Sequence, residues 1–375
     1  MEVDNRYDGA ELMNKDLVNL DAWSKKWLMQ FAPHKTKALT VSNKSKRDEH
    51  PHLKLDGVII EEVKSFVYLG LTFSYNLRWN VHIDSISTKS RKRLSAMMPL
   101  KFKLSRGTLE TMFKSFVMPI LEYGITVWGG SYDSDILKLE RIQIDALRLI
   151  TGAPARSNIA TLYQETGFDK FKDRIENRSV VMLYKIKNDL APDYLYELLP
   201  TVHNAARYNL RNNHNIKVPF TRLEVFKRSF IPRSIHLWNS LTLNVRNKES
   251  LFSFKSAIFD NDKCNILYYY GQRWPAVHHA RLRMGCSKLN ADLCLKLHVI
   301  ESSSCDCGNE LENSFHFFFD CPRFVNQRQT LFQTVRQYSH ITHDILLHGN
   351  PTLNFIENTA IFSAIHKFIE ECKRF

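Results

Sequence analysis

The sequence predicts an α+β fold that is mainly α: a small N-terminal helix and β-hairpin region, then helical segments to the end. Three observations predict it. Apolar residues recur every three or four positions over most of the chain. Short alternating runs bounded by turn residues are confined to 53–73. Hydrophobic residues make up 44% of the 375, with only 13 Gly and 12 Pro, so the chain can bury a core throughout its two or three domains.

The elements follow in order. In 14–31, Leu17, Leu20, Trp23, Trp27, Leu28 and Phe31 have helical spacing. In 53–60 the Asp56-Gly57 pair sits between apolar flanks, a hairpin signal because Gly accepts positive φ. Residues 66–73 read as one further strand. Leu109, Phe113, Phe116, Val117, Ile120 and Leu121 predict a helix with Ser105 as N-cap and a late kink at Pro119. Leu139, Ile142, Ala146, Leu149 and Ile150 predict another, stopped near Gly152 and Pro154. The pattern continues over 180–187 until Pro192. Residues 203–217 read as a polar connection, 220–259 as a compact region, and 265–375 as a third that closes on a helix over 360–373.

The net charge of +13, from 52 Lys and Arg against 39 Asp and Glu, favours polyanionic partners, nucleic acid above all. No apolar run approaches the ~20 residues of a membrane span. The first ten residues are polar and acidic, unlike a signal peptide. Seven scattered cysteines fit a reducing compartment. The expectation is a cytoplasmic or nuclear protein with RNA or DNA as partner and no membrane.

Three basic stretches carry that expectation. The first runs over 89–114 and includes Lys89, Arg91, Lys92, Arg93, Lys101, Lys103, Arg106 and Lys114. The second, over 207–233, interleaves Arg207, Arg211, Arg222, Lys227, Arg228 and Arg233 with Tyr208, Phe220, Phe226 and Phe230. The third is Arg273, Arg281, Arg283 and Lys288. Cations neutralise phosphates and release counterions, and exposed aromatics stack on unpaired bases. The competing reading is a solvated face with core aromatics between the charges.

Cys305-Asp306-Cys307-Gly308, His316 and Cys321-Pro322 offer three thiolates and an imidazole, the donor set of a closed tetrahedral zinc site. The spacing alone also allows Cys321 and His316 to pack in an apolar core beside Phe315, Phe317, Phe318 and Phe319. Sequence patterns for catalysis are missing: there is no nucleophile elbow, phosphate-binding loop or His-Glu-x-x-His. Asp133 with Asp135 and Asp260 with Asp262 read as turn formers, and the adjacent His278 and His279 cannot face one way on a regular element.

The order of motifs resembles the C-terminal part of non-LTR (LINE-type) retrotransposon reverse transcriptases, along nearly the whole chain. The residues concerned are 17–27, 31–37 and 66–71; 79–83; 119–124 with Val127-Trp128; 139–143, 147–152 and 184–186; and 279–285 through Cys305, Cys307, His316 and Cys321. The resemblance implies a palm remnant over 1–78, a helical thumb and connection over 79–200, a basic linker over 201–262 and a Cys/His region over 263–375. It implies that Lys35 matches a lysine assisting pyrophosphate departure and that Tyr68, Leu69 and Gly70 fall where the primer terminus is gripped. It also implies a Cys305/Cys307/His316/Cys321 zinc site.

Such enzymes hold two Mg²⁺ on aspartates of a Tyr/Phe-Ala-Asp-Asp motif, which two-metal transfer requires. Those carboxylates belong upstream of Asn14, and Met1 to Leu12 lacks the motif; Asp4 and Asp8 do not restore it. Phe31-Ala32 also replaces the usual Phe-Asn. The resulting expectation is a truncated LINE-type reverse transcriptase, with Mg only in a full-length parent. It would bind RNA or primer–template through Lys35, Tyr68, Gly70, Lys89, Arg91, Lys92, Arg93, Arg281 and Arg283, with no catalytic residue and without polymerising. The alternative is a non-enzymatic, zinc-containing nucleic-acid-binding protein derived from a retrotransposon.

Overall fold

A computed structural model describes residues 6–42, 50–200, 215–259 and 264–375. Helix accounts for 61% and strand for 5%, so the α+β, mainly α expectation holds. The chain forms two compact units: Met1–Ser85 with Thr221–Ser229, and Ile86–Phe220 with Phe230–Phe375. Arg207, Tyr208, Arg211, Asp4, Asp260 and Asp262 lie outside the described residues.

The first unit opens with α1 (Arg6–Lys26). It ends before the expected Phe31, because Leu28 turns to φ 55 and the Met29 amide closes on the Ser24 carbonyl. Strands β1 (Lys37–Ala38) and β4 (Glu61–Glu62) pair in parallel, while β2 (Lys54–Leu55) and β3 (Val58–Ile59) form the expected hairpin. Asp56 and Gly57 both have positive φ (49° and 74°), the twist a two-residue hairpin turn requires.

The single strand expected over 66–73 is instead a second hairpin, β5 (Ser65–Tyr68) against β6 (Leu71–Ser74). Its turn is Leu69-Gly70, at φ 47° and 79°. Leucine rarely adopts that conformation, so a lone Gly was too weak a sign of the reversal. A helix, α2 (Asn80–Met97), follows, and the division between the units falls at Ser85/Ile86.

In the second unit Ser105 caps α3 (Arg106–Met112) as expected, accepting from the Thr108 amide at 3.1 Å. A π turn over Phe113–Val117 separates it from α4 (Met118–Glu122). Pro119 supplies no N–H to the preceding turn, and the wider turn absorbs that missing bond. The motif around 119–128 is a structural joint. Glu122 accepts from Arg174 at 2.7 Å and Arg178 at 3.1 Å. Trp128, at the end of α5 (Ile125–Trp128), is fully buried and stacks on Phe171.

Next come α6 (Asp133–Thr151), α7 (Ile159–Thr166), α8 (Phe171–Lys187) and α9 (Asp193–Glu197). Asp133 and Asp135 occupy the first turn of α6, where carboxylates offset the helix dipole. That helix stops at Gly152, φ 79°, as its sequence predicts.

The first unit then contributes α10 (Glu224–Arg228). In the second, α11 (Phe230–Ser240), α12 (Leu243–Arg246) and α13 (Leu251–Ile258) lie in the stretch over 220–259 that the sequence reads as a compact region. Their apolar residues build a core with α8. Tyr184 and Phe254 stack at 4.2 Å, Trp238 lies 5.7 Å from Phe254, and the Tyr184 hydroxyl donates to the Lys248 carbonyl.

The last cluster gathers α14 (Arg273–Arg283), α15 (Val325–Arg336), α16 (His343–His348) and α17 (Phe355–Cys372). The closing helix begins earlier than the expected residue 360, because Asn354 and Glu357 form a reciprocal capping box.

Candidate metal centre and nucleic-acid interface

Cys305 and Cys307 flank a tight turn. The Cys305 amide donates to the Asn309 carbonyl at 2.8 Å, and Gly308 closes the reversal at φ +94°. His316 begins a π turn that ends at Asp320, and the Cys321 amide donates back to the His316 carbonyl at 2.8 Å. Arg328 fixes this segment from α15, donating to the Phe318 and Cys321 carbonyls at 2.8 and 2.5 Å.

The result brings the four expected ligands together. Their donor atoms all lie within 4.8 Å of one another. Cys305 and Cys321 Sγ are 3.9 Å apart, and Cys307 Sγ is 3.3 Å from His316 Nε2. Cys305, His316 and Cys321 are buried. Burial pushes the Cys305 thiol up to about 12 and raises Cys321, whereas the Asn309 amide lowers Cys307. The cluster could hold a metal ion. The two alternatives left by spacing are compatible, since Cys305 and Cys321 belong to the same buried cluster as Phe317 and Phe318.

Over 182 residues, 48% of this chain, the sequence is 27% identical to the RNA-directed DNA polymerase from mobile element jockey of Drosophila melanogaster. It is 25% identical over 46% of its length to the probable RNA-directed DNA polymerase from transposon BS of the same fly. Over about half its length the chain is related to LINE-type RNA-directed DNA polymerases. A third such relative, from transposon X-element of Drosophila melanogaster, matches at 24% over 46% of the chain. In each case the match covers 19% of the relative's length. No family model and no solved structure matches the chain.

The residues expected to contact nucleic acid fall into three situations. In the first unit Lys35 is exposed at the end of a short turn, Pro33–Lys35, and Tyr68 and Gly70 are exposed at the β5–β6 hairpin tip. Tyr68 shows 60% of its surface.

On α2, Lys89, Arg91, Lys92 and Arg93 are all exposed. Helical geometry sets Lys89, Lys92 and Arg93 on one stripe and turns Arg91 to the other side. Among the described residues no carboxylate pairs with any of the four.

The expectation for Arg283 needs correction. Arg283 donates to Glu165 at 3.0 and 2.8 Å, and its side chain is only 3% exposed. Its charge is spent inside the protein. Arg281 donates twice to the Gly152 carbonyl, at 3.0 and 2.6 Å, which leaves it partly exposed but tied to the end of α6.

Arg106 is likewise internal, 2.6 Å from Glu165, and Lys114 pairs with Glu110 at 2.5 Å. Burial lowers Arg233 to about 10. His278 and His279 do face apart, one toward Trp274 and Phe375, the other toward Phe362 and His366.

Sequence reasoning missed the cations around the α6 C-terminus as a group. Arg273 donates to the Leu149 and Ile150 carbonyls at 2.9 and 2.7 Å, and Lys101 to the Ala153 carbonyl at 3.1 Å. Orphan carbonyls and the negative end of the helix dipole draw cations there. A predicted helix end followed by Gly was the available signal. Which distant cations would reach it was not in the sequence.

Proposed function

We propose that this chain binds RNA or primer–template through the exposed stripe of α2 and holds one structural zinc ion at Cys305, Cys307, His316 and Cys321. The observation that carries the binding is the stripe itself: Lys89, Lys92 and Arg93 are exposed and lack carboxylate partners among the described residues, in a chain similar to polymerases of nucleic acid. Each such cation can displace a counterion from a phosphate.

Zinc is favoured by donor chemistry and by size. Three sulfurs and one imidazole suit zinc far better than Mg²⁺. A tetrahedron with ordinary zinc bond lengths has S···S edges of about 3.8 Å and S···N edges of about 3.6 Å. The observed 3.9 and 3.3 Å lie close to both. The ion would tie the turn at 305–308 to His316 and Cys321, closing the site without an open position for chemistry.

The reading also expects no primer extension by the chain alone. Two-metal transfer needs clustered carboxylates. Among the described residues, the group arranged to hold a metal is made of thiols and imidazole.

The test is binding of a labelled RNA and a primer–template duplex by anisotropy at several salt concentrations, with metal content measured on the same sample. A Lys89→Gln/Lys92→Gln/Arg93→Gln variant should bind at least tenfold more weakly, with a shallower salt slope. Wild-type binding left unchanged by that triple variant would sink the assignment of α2. Metal content far below one zinc per chain would sink the zinc assignment, and robust extension with Mg²⁺ and dNTPs would sink the third part.

A further inference from the structure

Four cations converge where α6 ends. Arg273 and Arg281 cap its last carbonyls, Lys101 reaches the Ala153 carbonyl, and Arg148 lies one turn back on the helix. Among the described residues only Arg148 has a carboxylate partner, Asp145 at 3.3 Å. The Arg148 Nε donor is buried with no partner among those residues. Carbonyl dipoles offset part of one charge, not of four. The excess is felt within the group. Burial, then Arg281, Arg273 and Arg148, push the Lys101 ammonium down to about 8. Such a concentration of positive charge, compensated in the main by carbonyls and by one carboxylate, is a receptor for an anion.

Beside it stands an aromatic ring. Phe102 is 59% exposed, and the Lys101 ammonium lies 5.4 Å from its centroid. Lys103, the next residue, is exposed as well. A ring held out of the core next to phosphate-binding cations is how single strands are gripped: the base stacks while its backbone lies on the charge. Stacked bases inside a duplex do not offer that face.

We propose that Phe102, Lys101 and the Arg148/Arg273/Arg281 group form a subsite for one unpaired nucleotide, the ring taking the base and the cations its phosphate. The inference rests on the nucleic-acid reading above and sharpens it from nucleic acid in general to single strand.

The test uses the full chain and a single-stranded oligonucleotide carrying 2-aminopurine, whose fluorescence is quenched by stacking. Phe102→Ala should abolish the quenching and weaken binding about tenfold, and Phe102→Trp should restore both. Lys101→Met should lower the salt slope by about 0.7, the value for one contact on a single strand. Because Phe102 is exposed, its two variants should keep the wild-type circular dichroism.

Quenching unchanged in Phe102→Ala, or a duplex of the same length binding as tightly as the single strand, would overturn the subsite. If the α2 triple variant loses binding while Phe102→Ala keeps it, the subsite fails and the α2 interface stands. If the wild type binds no oligonucleotide even at low salt, both fail.

Discussion

Arg283 grips Glu165 at two points, Nη2 to Oε1 at 2.8 Å and Nε to Oε2 at 3.0 Å, across 118 residues of sequence. Arg106 approaches the same carboxylate from α3 at 2.6 Å, and all three side chains are at most 5% exposed. Burial alone would raise the Glu165 carboxyl, but Arg283 and Arg106 hold it below its usual value. Removing Arg283 leaves Arg106 to balance the charge but takes the donor from the buried Oε2 of Glu165. Arg283→Met should therefore destabilise the chain by about 1.5–3 kcal/mol in urea unfolding. The triple replacement Arg106→Met/Glu165→Leu/Arg283→Met should recover much of that loss. A mild effect of the single change would show that the pair contributes little.

The same triad has a pH signature. Its carboxyl is depressed in the folded state, so its contribution is complete above the unfolded value of about 4.3 and is lost as pH falls through the folded value. Glu165→Gln should reduce the acid sensitivity of unfolding below about pH 4 while lowering stability at neutrality. Equal sensitivity in the two proteins would contradict the assignment.

Buried histidines act at higher pH. His279 Nε2 lies 2.9 Å from the Leu346 carbonyl and so carries the proton; its Nδ1 then accepts from His366 Nε2 at 3.4 Å. Burial, then the nearby cations, lower His278 and His366 to about 4, and burial lowers His279 well below its ordinary value. Unfolding lets these rings take up protons near pH 6.5, so stability should fall as pH drops from about 6.5 toward 4. His366→Phe should lower the slope of stability against pH by close to one proton over that window. An unchanged slope would rule out His366 as a contributor.

Gly152 is needed twice over at the end of α6. Its φ is +79°, and a Cβ there would lie 2.6 Å from Val277 Cγ1. Gly152→Ala should cost at least about 1–2 kcal/mol, from backbone strain plus the displacement of Val277. Pairing it with Val277→Ala should relieve the steric part only. Thermal unfolding of the single and double variants separates the two contributions.

Stripping the metal should act locally. Without a cation the buried Cys305 and Cys321 revert to neutral thiols, and the 3.3 Å Cys307–His316 contact is a far weaker link between 305–308 and His316 than shared coordination. Amide exchange should rise across 303–321 after chelation, while the Tyr184, Trp238 and Phe254 cluster stays protected. Uniform loss of protection would instead indicate that the whole second unit depends on the ion.

Local chemistry was legible in the sequence because neighbours decide it. Ser105 as a cap, Asp56-Gly57 as a hairpin turn, Gly152 as a helix stop, and the Cys305/Cys307/His316/Cys321 spacing all occupy the places their residue types predict. The Leu69-Gly70 turn was not legible, because leucine seldom adopts positive φ. The fate of the charges was decided by tertiary structure alone. Lys89, Lys92 and Arg93 and the pair Arg106 and Arg283 look alike as basic residues. The first three meet water, and the other two meet Glu165, which lies 59 and 118 residues away. A guanidinium is a phosphate contact or a core tether according to its partner, and only the folded chain brings that partner within reach.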